Sequence, residues 1–142
     1  MSTNTAIAKY LLAKVPGNFD GWTLEALEDY VDHHATQGTL SYMGCEKGAI
    51  YGVLIGHQQM GTKLLKFKWQ KTDPNGDCWW WDHFVADDAS IALGLMKDMM
   101  QRNPASAFLR CAGFRNGKRR VWKSGEQLME FKKALNLYEP KS

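Results

Sequence analysis

A single carboxylate set beside three consecutive tryptophans is the place in this chain where chemistry is best prepared. Residues 79–86 read WWWDHFVA and alternate as a strand. Trp79, Trp81, His83 and Val85 fall on one face, and Trp80, Asp82, Phe84 and Ala86 on the other. Asp82 therefore shares its face with aromatic and apolar side chains. A carboxylate so placed loses hydration and must either find a partner or take a raised pKa, which is how enzymes prepare acids and bases. An Asp that caps a loop or pairs with an arginine would satisfy the same pattern.

A base to work with Asp82 is sought among four histidines, His33, His34, His57 and His83. In a regular strand His83 points away from Asp82. His33 and His34 close an acidic helix, where a cation is favourable, and read as surface or capping residues. His57 ends an apolar strand and is followed by Gln58 and Gln59, which makes it the candidate on position. The histidines show no HExxH spacing, and Cys45, Cys78 and Cys111 form no CxxC pair. No metal is expected, and the three cysteines read as reduced strand residues.

The net charge of +3 says little, but its layout says more. Between Asn103 and Gly125 stand Arg110, Arg115, Lys118, Arg119, Arg120 and Lys123 without an acid, whereas Asp20, Glu25, Glu28, Asp29 and Asp32 stand together without a base. The basic side could meet phosphate in a nucleotide cofactor, a phosphopantetheine group or nucleic acid. Within it, residues 114–123 mix Arg and Lys with Phe114 and Trp122, a combination that contacts phosphates and stacks bases. A non-catalytic nucleic-acid-binding or assembly module using the basic hairpin 110–123 is therefore the alternative to an enzyme.

These residues must be positioned by a chain of 142 residues, a length that fits a single domain, 1–142, with one core. With 44% apolar residues it should fold without metal or disulfide support. No apolar run approaches the roughly 20 residues of a membrane span, and the first residues lack a secretory signal pattern, so a cytoplasmic location is expected. Helical spacing marks 5–14 and 24–35, the latter introduced by Trp22 and the cap Thr23. The period then becomes extended. Residues 39–45 and 49–56 read as a hairpin whose second strand is apolar on both faces, 63–70 as a strand with one wet face, and 79–86 as the tryptophan strand. A buried Met-rich helix over 89–102, a strand over 107–112, an Asn-Gly hairpin into 119–123 and a last helix over 125–136 complete an α+β order with a mixed, mostly antiparallel central sheet flanked by helices.

That order is found in Gcn5-related N-acetyltransferase folds. The tryptophan segment sharpens the likeness, because Gly76, Asp77, Trp79, Asp82, Ala86, Leu95, Met96, Pro104, Phe108 and Arg110 together resemble the motif of the toxin-activating lysine acyltransferases. The resemblance covers Gly76 to about Arg110. It implies transfer of an acyl group from acyl carrier protein, through its phosphopantetheine, or from acyl-CoA to a lysine of a protein acceptor, and it leaves room for a homodimer. Asp82 is the catalytic position that maps by motif. The segment that carries a His in that family reads Asn18, Phe19, Asp20 here, and the turn that usually reads Ala-Pro-Phe-Gly is Ala86, Asp87, Asp88, Ala89. In such folds the pantetheine arm follows a splayed strand pair. Ala86 and Ala89 are accordingly the expected donor-binding positions, with Arg110, Arg115, Arg119 and Arg120 meeting the acidic carrier.

Overall fold

The computed structural model describes residues 2–45, 47–61, 71–115 and 118–122, from 114 onward as backbone alone. The strand expected over 63–70 and the helix expected over 125–136 lie outside the described residues.

Helix α1 (Thr3–Lys14) starts at Ser2, whose side chain accepts from the Thr5 amide, and a 3-10 turn (Pro16–Phe19) follows it. Helix α2 (Leu24–Gln37) is capped by Thr23, which accepts from the Ala26 amide, and it ends at Gly38, whose φ of 79° suits glycine. Its inward stripe is Leu27, Tyr30, Val31 and His34, spaced as one helical face. Strand β1 (Leu40–Gly44) turns into β2 (Ile50–Gln59), and β3 (Cys78–Ala86) leads into α3 (Ala89–Arg102). A short helix α4 (Ala105–Phe108) precedes β4 (Arg110–Arg115) and β5 (Lys118–Trp122). The start of the strand expected over 107–112 is thus helical, because Pro104 and the alanines after the α3 stop favour one more turn. Strand β2 runs past its expected end at Gly56 and takes His57 into the sheet.

Among the described residues the strands form one five-stranded sheet in the order β1-β2-β3-β4-β5. It is α+β and mixed, antiparallel everywhere except at β3 and β4, which run parallel because α3 carries the chain across. One face packs on α1 and α2 through Ile7, Leu11, Leu27, Val31, Val53 and Ile55. The other packs on α3 through Leu54, Trp79, Trp81, Leu95 and Met99. Gly52 permits the close approach of α3, since a Cβ there would stand 2.7 Å from Ile91 and 2.8 Å from Leu95. Burying both faces explains the nearly continuous apolar run of β2.

One irregularity governs the rest. Ile55 pairs with His83 but Gly56 pairs with Trp81, so Asp82 is an extra residue opposite β2, a β-bulge. The alternation expected along 79–86 therefore breaks in the middle. Trp79, Trp81 and Ala86 face α3, whereas Val85 and His83 face α1 and α2. The expectation that His83 points away from the face of Asp82 is overturned by this one-residue shift.

Candidate active site

Three elements bring the site together. Strand β2 presents His57 on the same face as Val53 and Ile55, four and two residues earlier. The bulge in β3 turns Asp82 toward that face, and His57 Nδ1 lies 2.7 Å from Asp82 Oδ2. Both side chains are almost wholly buried, 1% and 2% exposed. Asp82 and His57, identified separately in the sequence, are thus hydrogen-bonded partners.

The glycine at position 56 is part of this construction. A Cβ on Gly56 would come 2.7 Å from Trp79 Nε1 and 2.9 Å from Trp81 Cε3, distances no real side chain tolerates without movement. The two indoles, edge to face at 5.5 Å, press against the bulge from the α3 side while the dyad occupies the α2 side.

Helix α2 supplies the other wall. His34 is 1% exposed, so its reading as a surface or capping residue is corrected: it belongs to the inward stripe at seven residues from Leu27. Its ring lies 6.4 Å from that of His57 and 4.9 Å from that of Tyr30. Tyr30 and His83 are joined by a 3.1 Å contact between the hydroxyl and Nδ1. Phe19 stacks on His83 at 5.0 Å, and Trp22 packs against both Phe19 and Tyr30. The segment that carries a His in the resembled family thus contributes an aromatic cover over this cluster.

Burial sets the charge states. Desolvation raises the Asp82 pKa above the usual carboxylate value, and the His57 hydrogen bond and charge pull against it. The imidazoles of His34 and His83 are pushed down to about 3 and about 4 by burial, so both are neutral near pH 7. Burial, followed by the Asp82 charge, holds the Tyr30 hydroxyl well above its ordinary value. Asp82 therefore sits among neutral groups with His57 as its short-range partner, the arrangement in which a carboxylate orients an imidazole and stabilises it once protonated.

No family model matches the chain, and no curated protein matches it. The site is therefore read from its own geometry.

The remaining expected positions are dispersed. Ala86 ends β3 and the exposed Ala89 begins α3. Between them, Asp87 accepts from the Tyr10 hydroxyl at 2.8 Å and pairs with Lys14, while Asp88 caps α3 by accepting from Ile91 N and Ser90 Oγ. The two acids of the turn thus fasten it to α1 and close the helix start. Arg110 aligns with Cys78, at the opposite end of β3 from Ala86, about 26 Å away at ~3.3 Å per residue. The backbones of Arg115, Arg119 and Arg120 lie in the β4–β5 hairpin, in which Arg115 pairs with Lys118 as the Asn-Gly signal requires. Among the described residues no cluster of His, Cys, Asp or Glu has metal-binding geometry, and no helix is long and apolar enough to cross a membrane.

Strands β3 and β4 are paired only over Cys78–Trp81 with Arg110–Gly113. Beyond the bulge, among the described residues, the edge of β3 that faces β4 has no strand neighbour. The dyad sits where this parallel pairing ends.

Proposed function

We propose that this protein is an acyltransferase of Gcn5-related architecture, moving an acyl group from acyl carrier protein or acyl-CoA to a lysine amine of a protein. The observation that carries the reading is the 2.7 Å His57–Asp82 pair, buried at the point where β3 and β4 part. A lysine amine is protonated near neutrality and attacks a thioester only after losing a proton. The Asp82 carboxylate against Nδ1 orients the His57 ring and would stabilise the imidazolium formed when His57 takes up the amine proton. The new C–N bond forms as the C–S bond breaks, the thiolate leaves with one proton, and one further proton is released per transfer.

The β3 edge past Asp82 offers backbone amides to the pantetheine arm or to the developing oxyanion. The basic β4–β5 hairpin suits the acidic surface of a carrier protein. Incubating lysine-bearing acceptor proteins, this chain among them, with carrier protein and coenzyme A thioesters of several chain lengths, then recording intact masses, tests the reading. An acyl increment on an acceptor lysine is expected. No increment from any donor, together with salt-sensitive nucleic-acid binding, would replace it with the basic-hairpin module.

A further inference from the structure

Strand β2 outruns the strand that supports its outer edge. Its pairing with β1 ends at Ile55 opposite Leu40, and His57 stands two residues further on. We infer that Gln37 of α2 and Thr72 of the loop before β3 are positioning residues, which clamp this overhanging end of β2 and hold the His57 ring against Asp82. The consequence for turnover rests on the acyl-transfer reading; the clamp itself rests on the geometry.

Past Ile55 the outer edge of β2 makes one more bond toward β1, from the Gly56 amide to the Thr39 carbonyl, and then changes partner. The Gln58 amide donates to Thr72 Oγ1 at 3.0 Å, and the Gln58 carbonyl accepts from the Asp73 amide at 2.7 Å. Thr72 and Asp73 thus take the place of β1 immediately after His57. The Gln58 carboxamide adds bonds to the carbonyls of Pro74 and Gly76 at 3.2 and 2.9 Å, so the same loop is held twice. On its other edge β2 meets the bulge, where the ladder to β3 is interrupted between Ile55 and Gly56. Register beside the bulge is therefore held from the outer edge.

Gln37 ties that loop to α2. Its Oε1 accepts from the Thr72 amide at 3.1 Å, and its Nε2 donates to Thr39 Oγ1 at 2.8 Å and to His34 Nδ1 at 3.2 Å. A backbone amide can only donate, so the Thr72 contact fixes which end of the Gln37 carboxamide is the oxygen. One side chain thereby joins α2, the residue before β1 and the loop before β3. The path from α2 to the dyad runs from Gln37 to Thr72 to Gln58, through hydrogen bonds of 3.1 and 3.0 Å, and then along one peptide to His57. Both positioning residues act through the backbone of Gln58.

The test is the resonance of the proton held between His57 Nδ1 and Asp82, followed by nuclear magnetic resonance on the full chain labelled with 15N histidine, in wild type, Thr72→Val, Thr72→Ser and Gln37→Met. Valine keeps the shape of threonine and removes its acceptor, whereas serine keeps the hydroxyl. The clamp predicts that the resonance shifts and broadens in Thr72→Val and Gln37→Met and returns to its wild-type position in Thr72→Ser. Should Thr72→Val not fold, Gln37→Met carries the same prediction. Ser41→Ala serves as comparison, because it cuts the bond from β1 to Asp98 and should lower the urea midpoint without moving the resonance. A wild-type resonance in Thr72→Val and Gln37→Met overturns the clamp, and so does an equal shift in Ser41→Ala, which would reduce the effect to a general loss of stability. Where wild type transfers acyl groups, Thr72→Val should lower kcat by up to about 10²-fold with KM unchanged, and Thr72→Ser should restore it. A shifted resonance in a protein that transfers no acyl group would leave the clamp standing and remove the acyl-transfer reading, and transfer at the wild-type rate in Thr72→Val with the resonance unmoved would do the reverse.

Discussion

His57 Nδ1 lies 2.7 Å from Asp82 Oδ2 because β3 contains one residue more than β2 opposite it. Without that bulge, regular alternation would carry the later residues of β3 to different faces. The contact is therefore a property of strand register as much as of the two side chains. Its consequences can be measured.

Breaking the pair from one side should be costly. Removing His57 leaves Asp82 buried without its partner, and His57→Ala is expected to lower stability by about 3–5 kcal/mol. His57→Gln, which keeps a donor within reach of Asp82, should lose clearly less. Urea unfolding at pH 7 distinguishes them, and equal small losses would mean that the bond contributes little.

Stability should fall in mild acid. His34 and His83 stay neutral in the fold down to about 3 and about 4, whereas in the unfolded chain they protonate near 6.5. Between those limits the unfolded state binds more protons, so this contribution is complete above about pH 6.5 and is lost as pH falls toward 4. The slope is up to about 1.4 kcal/mol per pH unit for each histidine. Asp82 has the opposite sign. Its folded pKa is raised, so its contribution is present below the unfolded value of 3.8 and is lost as pH rises through the folded value. Two histidines outweigh one carboxylate across pH 6.5 to 5. Urea midpoints should drop over that range, and the drop should shrink in His34→Gln.

Gly56→Ala is expected to destabilise by roughly 1–3 kcal/mol through overpacking. The added methyl would meet Trp79 Nε1 at 2.7 Å and Trp81 Cε3 at 2.9 Å. Tryptophan fluorescence during urea unfolding reads both the loss and the shift of the indoles. A neutral result would show that the bulge does not depend on this close approach.

Much of the fold was legible because its signals are local. The Thr23 cap, the Gly38 stop, the apolar run of β2 and the Asn-Gly hairpin each follow from a few neighbouring residues. The site was half legible. Asp82 stood out as a carboxylate among aromatics and His57 by its position on an apolar strand, but their pairing depends on register between β2 and β3, to which periodicity within one strand is blind. The bulge likewise moved His83 across the sheet. His34 could have been recognised, since Leu27, Tyr30, Val31 and His34 share one helical spacing, yet its place near a helix C-terminus suggested a cap. The turn of Asp87 and Asp88 places two acids side by side in the sequence. Its charges are engaged by Tyr10, Lys14, Ser90 and the α3 start, partners remote in sequence or visible only as a helix cap.

The most direct test of the account is the rate of acyl transfer to an acceptor lysine by wild type, His57→Gln, Asp82→Asn and the double variant. If the two residues act as one base, each single variant should lose about 10²–10⁴-fold and the double variant scarcely more than the worse single. Full activity in either single variant, with the protein folded, would contradict it.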